Sequence, residues 1–403
     1  MSIDFQQLAD HYGTPYYVYD FDHITKQYQE LKSSFTARKS LVSYAVKANS
    51  NLSVVKHLGD LGAGADCVSI GEVKRALKAG IAPYKIIFSG VGKTDDEIRE
   101  ALEYNILMIN LESEAELGRV DAIAKEMSKE ARISIRVNPN VDPKTHPYIS
   151  TGLHENKFGV DLDTAKRMYI QAKKSENLDP VGIHCHIGSQ LTELEPIKEA
   201  VNITANLVKN LAAALKIELK FFDVGGGLGI VYDDETLIDT YEYGQAILES
   251  LFGLDITVVC EPGRFIVGNS GTFVTKVLYE KVNGDKRFVI VDGAMNDLIR
   301  PSLYNAYHKV TVVGKDTDTS DCNVVGPVCE SGDFFAKNIN LPKTEHNDLI
   351  AIHSAGAYGF TMASNYNTRP KVTEIAIEDG EDRMIRRRET FDDLIAHEEE
   401  FLK

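Results

Sequence analysis

Lys47 closes the apolar run YAVKAN, and its placement points to chemistry. At the end of a buried strand its ammonium faces a pocket instead of bulk water. A lysine placed there loses part of its basicity, and its amine can condense with a carbonyl as a Schiff base. A solvated or salt-bridged loop lysine is the commoner case, so other groups have to agree with it. Gly225-Gly226-Gly227-Leu228-Gly229 ends another apolar run, and Ser189 ends its neighbour. Bare backbone N–H groups and a hydroxyl at that spot make a cradle for a phosphate, although GGGLG alone is equally a tight turn without a ligand. Glu261, in CEPGR, is expected low in the pocket opposite Lys47. There a carboxylate can keep a pyridine-type nitrogen protonated, which makes the ring an electron sink. His186, in HCHIGS, can lie flat against such a ring or be a core histidine satisfied by hydrogen bonds. No metal centre is expected, because only one of His184 and His186 is expected to face inward, too few for a ligand set.

These residues share one feature: each ends a short apolar run. There are eight such runs, LVSYAV (41–46), GADCVS (64–69), KIIFSG (85–90), LMIN (107–110), RISIRVN (132–138), GIHCHIG (182–188), FFDVGGG (221–227) and ITVVCEPG (256–263). Helical spacing fills Asn51–Leu61, Asp95–Tyr104, Ser113–Lys129 and Pro196–Leu215 between them. Strand–helix alternation requires parallel crossovers, and eight units predict an α/β (β/α)8 TIM-like barrel over residues 22–265. Active sites of that fold lie at the carboxyl ends of the strands, where Lys47, Asp66, Arg136, Asn138, His184, His186, Ser189, the glycines 225–227, Glu261 and Arg264 all fall. An open doubly wound sheet is disfavoured, since the glycine cluster follows the seventh run and lacks the dinucleotide spacing. Beyond Phe265 the texture turns to short β-branched segments separated by Gly, Asp and Asn, which predicts a mostly antiparallel β-sandwich or barrel. TPYYVYD (14–20) is strand-like and is expected to join it, giving a discontinuous domain of residues 1–21 and 266–403.

The bulk composition narrows the partners. A chain of 403 residues with 43% hydrophobic content can build two cores. Its formal charge of −16 repels a phosphate backbone, so no nucleic acid is expected. Arg386-Arg387-Arg388 is short and is expected to be a solvated strand end. Five scattered cysteines without CxxC spacing read as reduced thiols. With no basic-then-apolar leader and no run long enough to span a membrane, the expectation is a soluble, cytoplasmic protein.

Seven motifs taken in order, YAVKAN, HCHIGS, DVGGG, CEPGR, RPSLY, GPVCESGD and GAYG, resemble those of the fold-type III pyridoxal-phosphate-dependent decarboxylases. The last four resemble the diaminopimelate decarboxylases in particular, and the likeness spans essentially the whole chain. The resemblance implies pyridoxal 5'-phosphate as cofactor, Lys47 as the lysine that binds it, His186 stacked on its ring and Glu261 at its ring nitrogen. It implies that Ser189, Gly225, Gly226, Gly227, Gly263 and Arg264 hold the phosphate and cofactor together with Tyr358. Arg264, Arg300, Tyr304 and Tyr358 would bind the amino-acid substrate. Cys329 and Glu330 would enter from the second subunit of a head-to-tail homodimer, with Cys329 the candidate proton donor. The D-centre of meso-diaminopimelate would react, giving L-lysine, in the last step of lysine biosynthesis. His353-Ser354-Ala355, ahead of GAYG, is more polar than the pattern leads one to expect. Thr145–Phe158 is a candidate closing loop.

Rival readings differ at identifiable residues. Alanine racemases share the architecture but place arginine where Glu261 stands. An ornithine or arginine decarboxylase wants acidic groups at the far end of the substrate without Arg300. A carboxynorspermidine decarboxylase is separated by assay, and an inactive decarboxylase-like regulator by its loss of Lys47, His186, Glu261 or Cys329.

Overall fold

A computed structural model describes residues 3–142 and 157–402. The candidate loop Thr145–Phe158 lies outside the described residues, apart from Lys157 and Phe158. The chain divides into two compact units, one of residues 25–230 and 236–266, the other of residues 1–24, 231–235 and 267–403.

The first unit is a closed barrel of eight parallel strands: β2 (Ser40–Ala45), β3 (Gly64–Cys67), β4 (Ile86–Phe88), β5 (Met108–Leu111), β6 (Ala131–Val137), β7 (Leu178–Cys185), β8 (Phe221–Asp223) and β9 (Thr257–Cys260). The ring closes by pairing β2 with β9, Val42 opposite Cys260. The strands number eight, as the apolar runs predict, and Ile87, Leu107, Met108, Val181 and Val259 pack together as one buried cluster. Six of the crossover helices begin where short polar side chains satisfy first-turn N–H groups. Asn51, Ser69, Thr94, Ser113, Asp161 and Asp239 all cap helices in this way. Such caps stop the loops short, so strand ends and the residues just past them are held in place.

The second unit is a nine-stranded mixed sheet. It contains β1 (Tyr16–Asp20), β10 (Gly271–Asn283), β11 (Lys286–Val291), β12 (Val310–Val312), β13 (Thr319–Val325), β14 (Phe334–Pro342), β15 (Leu349–Ile352), β16 (Thr373–Glu378) and β17 (Glu381–Arg386). β1 lies between β10, antiparallel, and β16, parallel. Leu8, Tyr16, Val18, Val274, Leu349 and Ile375 form its buried core. The arginine triplet is more engaged than a solvated strand end. Arg386 lies 3.6 Å from Glu389, Arg387 2.5 Å from Asp393, and Arg388 donates to the Pro15 carbonyl at 2.6 Å.

One ion pair in this sheet carries a pH signature. Burial pushes Glu280 up, but the Arg287 guanidinium at 2.5 Å and the Thr344 hydroxyl and amide outweigh it, pulling the carboxyl down to about 2. A depressed carboxylate stabilises the fold above its unfolded value near 4.3 and loses that contribution as pH falls toward 2. Glu280→Gln is therefore expected to cost about 1–2 kcal/mol at pH 7 after allowance for solvent screening. Urea unfolding at pH 7 and pH 3 checks this: the gap between variant and parent should narrow at pH 3, and a constant gap would refute the assignment.

Candidate active site

Lys47 sits in a single 3₁₀ turn, Val46–Ala48, directly after β2. Two contacts pin that turn. The Tyr44 hydroxyl donates to the Asn49 carbonyl at 2.9 Å, and the Ala45 amide donates to the Pro262 carbonyl at 3.1 Å. Gly263 makes the second approach possible, since a Cβ there would lie 3.0 Å from the Ala48 Cβ. The Lys47 Nζ meets Asp66 Oδ2 at 3.2 Å. Asp66 is fully buried in β3, so burial, reinforced by the Glu261 charge, raises its carboxyl, and Lys47 offsets only part of that.

Glu261 follows β9 and is buried, its amide donating to the Gly225 carbonyl at 2.7 Å. Its Oε2 lies 3.2 Å from His184 Nε2, while Oε1 has no protein partner. Burial pushes this carboxyl up, yet His184, Asp223 and Lys47 together hold it below the ordinary carboxylate range. Asp223, at the end of β8, goes the other way: burial and the Glu261 charge keep its carboxyl well above that range. Two neighbouring buried carboxyls thus titrate as a pair, with the charge favoured on Glu261 and disfavoured on Asp223.

Residues two apart on a strand share a face, and both histidines turn inward, against the expectation that only one would. His184 is buried beside Glu261, and His186, just past β7, accepts the Gly226 N–H at Nδ1, 3.2 Å away. That bond leaves the ring proton on Nε2. Burial lowers the basicity of His186, as do the nearby Arg136, Lys47 and His184, so the imidazole stays neutral.

The three glycines are required by space. A Cβ would stand 2.6 Å from the Cys185 carbonyl oxygen at Gly225, 2.1 Å from that of Glu261 at Gly226 and 2.5 Å from that of Gly188 at Gly227. Gly225 and Gly227 also take positive φ, +69° and +112°. Beside them the buried Arg264 donates from Nη2 to Ser189 Oγ at 3.2 Å. The mouth of the barrel therefore joins a paired lysine, an ionised carboxylate with an unpartnered oxygen, a neutral imidazole and a cradle for an anion.

His184, Asp223 and Glu261 each bring one ligand atom within 4.8 Å of the others, a spacing a cation could use. A bare cation makes no use of an amine or an anion cradle. An aromatic ring with a basic nitrogen, an aldehyde and a phosphate uses all of them, and the buried unpartnered Glu261 oxygen fits its nitrogen. Asp66 and Asp223 have roles that residue type alone did not assign. Their signal was a carboxylate inside an otherwise apolar run. A further buried pair, Arg136 and Glu112 at 3.3 Å, holds the end of β6, with the other Glu112 oxygen accepting the Gly159 amide at 2.9 Å.

In the sheet unit, Arg300 opens the short helix Arg300–Tyr304 and is buried. Tyr304 is half-buried, and so is Tyr358, which has a φ of +56°. Cys329 is exposed, its amide donating to Asn367 Oδ1 at 3.2 Å, and the nearby Glu330 raises the pKa of the Tyr366 hydroxyl. Among the described residues no helix is long and apolar enough to cross a membrane.

Residues 21–268 match the family model described as pyridoxal-dependent decarboxylase, pyridoxal binding domain. The chain is 60% identical over 402 residues to the diaminopimelate decarboxylase of Campylobacter jejuni, covering all of both chains. It superposes with a TM-score of 0.96 on the crystal structure of diaminopimelate decarboxylase from Helicobacter pylori complexed with L-lysine, at 55% identity over 99% of this chain and 100% of that one. A diaminopimelate decarboxylase from M. jannaschii in co-complex with L-lysine gives 0.92 at 37% identity, over 97% and 93%.

Proposed function

Because the chain belongs to the pyridoxal-dependent decarboxylases, and within them to the diaminopimelate decarboxylases, we propose that it converts meso-2,6-diaminopimelate to L-lysine and CO2 with pyridoxal 5'-phosphate held at the barrel mouth. The observation that carries the cofactor reading is the buried, ionised Glu261 with an oxygen that has no protein partner, close to the amine of Lys47. When bound, pyridoxal phosphate supplies an aldehyde for amines and a ring that takes up the electron pair left by a departing carboxylate.

The chain's own residues do the rest. Lys47 would provide the amine that holds the aldehyde, with Asp66 keeping that amine in place. Glu261 would keep a proton on the ring nitrogen, its charge favoured by His184 and Lys47 beside it. Neutral His186 would face the ring without adding a competing positive charge. Ser189, Arg264, Gly263, the three glycines and Tyr358 hold the phosphate and cofactor.

Arg264, Arg300, Tyr304 and Tyr358 bind the substrate through its carboxylates, and Glu330 of the partner subunit takes the distal ammonium. The Cα–carboxylate bond breaks at the D-centre, CO2 leaves, and the thiol of the partner subunit's Cys329 returns a proton to Cα. A cytoplasmic homodimer is part of the same reading; five free cysteines fit a reducing compartment.

Diaminopimelate carries a distal carboxylate that ornithine lacks, so selectivity against ornithine rests in part on a cation. Arg300→Ala is expected to raise KM for diaminopimelate by about 10- to 100-fold, the loss of a charge-assisted pair. Steady-state kinetics on diaminopimelate check it, and unchanged kinetics would remove Arg300 from the substrate site.

A further inference from the structure

Arg300 is gripped before any substrate arrives. Its Nε donates to His308 Nε2 at 3.2 Å, and its guanidinium carbon stands 5.2 Å from the centre of the Tyr232 ring. Arginine nitrogens only donate, so His308 Nε2 must offer a lone pair. The imidazole proton then belongs on Nδ1, which is 2.9 Å from the His353 carbonyl oxygen and donates to it. That carbonyl is delivered by the β12–β15 ladder: Val310 pairs with Ile352, and the His353 amide returns a bond to the Lys309 carbonyl at 2.9 Å. The His353 side chain closes the arrangement, its Nε2 2.8 Å from the Thr311 hydroxyl. Tyr232 meets the His308 ring edge-on, centroids 5.5 Å apart at 86°, while its face serves the guanidinium. Arg300 and His308 are both buried. The polar His353-Ser354-Ala355 departure contributes here through the His353 side chain on Thr311, while a backbone carbonyl anchors the His308 imidazole.

We infer that His308 is a positioning residue for substrate recognition: held as its Nδ1–H tautomer by the His353 carbonyl, it orients Arg300 on the Tyr232 platform toward the substrate carboxylate. With Nε committed to His308, a bidentate grip on a carboxylate has to be made end-on, through Nη1 and Nη2. The ladder, the imidazole and the aromatic face fix the plane of that fork. Fixing it in advance spares the ordering cost that a long side chain otherwise meets on binding. The inference rests on the reading of Arg300 as a substrate ligand.

The test uses the cofactor-loaded enzyme and meso-diaminopimelate. His308→Asn keeps a donor near the Nδ1 position, for the His353 carbonyl, and loses the Nε2 acceptor. His308→Gln places an amide oxygen near Nε2. The asparagine variant is expected to raise KM about tenfold with kcat within about twofold, and the glutamine variant to recover KM to within about threefold of the parent. In an Arg300→Lys background, where no Nε–H exists to be held, His308→Asn should add no further rise. Tyr232→Leu, which removes the ring under Arg300 and beside His308, is expected to raise KM about threefold and serves if His308→Asn does not fold.

Equal KM rises in the asparagine and glutamine variants, a fall in kcat at constant KM, or an unchanged KM in His308→Asn or Tyr232→Leu while Arg300→Ala is impaired would each overturn the positioning role and leave Arg300 in place. Unchanged kinetics in Arg300→Ala would instead overturn the substrate reading beneath it.

Discussion

Replacing Lys47 by alanine lowers CO2 release from meso-diaminopimelate by about 10³-fold or more, because no other amine is held at that position to anchor the aldehyde. The fold should survive, since Lys47 is half-exposed and pairs with Asp66. Absorbance of the bound cofactor separates this from unfolding: the band of the covalently anchored aldehyde is lost while the far-ultraviolet circular dichroism stays that of the parent. The same variant tests the shared site. Mixed with Cys329→Ala chains and allowed to exchange subunits, two near-inert proteins should recover about a quarter of parent activity, half the dimers being mixed with one of two sites intact. No recovery after demonstrated exchange would place Cys329 in the site of its own chain or outside the chemistry.

Glu261→Gln is the second large effect. The amide keeps the shape of the carboxylate and can still meet His184, but the charge that holds a proton at the ring nitrogen is gone. By analogy with the removal of a single preorganised electrostatic partner, kcat should fall about 10²- to 10³-fold with KM changed only a few-fold. Asp223 should respond too: without the Glu261 charge, one of the causes raising its carboxyl disappears. A variant with kcat within a factor of a few of the parent would mean that the ring nitrogen is served by another group, with Asp223 the first to examine.

The barrel was legible because burial on both faces leaves each strand as an uninterrupted apolar run with functional residues at its end. Lys47, Ser189, the glycines and Glu261 could therefore be placed at the mouth by their positions just past such runs. Carboxylates inside the runs were harder. Asp66 and Asp223 are visible in GADC and DVGGG, but the sharing of charge between Asp223 and Glu261 depends on two strands meeting side by side. The β unit was legible in texture and not in topology. The parallel pairing of β1 with β16 joins residues more than 350 positions apart, which no local pattern encodes. The same holds for the brace on Arg300: Tyr232 comes from the segment after the glycine turn, which groups with the sheet unit, and His308 is bound through a carbonyl 45 residues away.

The central claim meets its most direct test when purified protein, loaded with pyridoxal phosphate, is given meso-diaminopimelate, L-ornithine or carboxynorspermidine separately, with CO2 and the amine product both quantified. One L-lysine per CO2 from diaminopimelate, with the other two substrates turned over far more slowly, is the predicted result. Cofactor bound but diaminopimelate inert, or carboxynorspermidine preferred, would contradict the substrate assignment while leaving the barrel site and Lys47 standing.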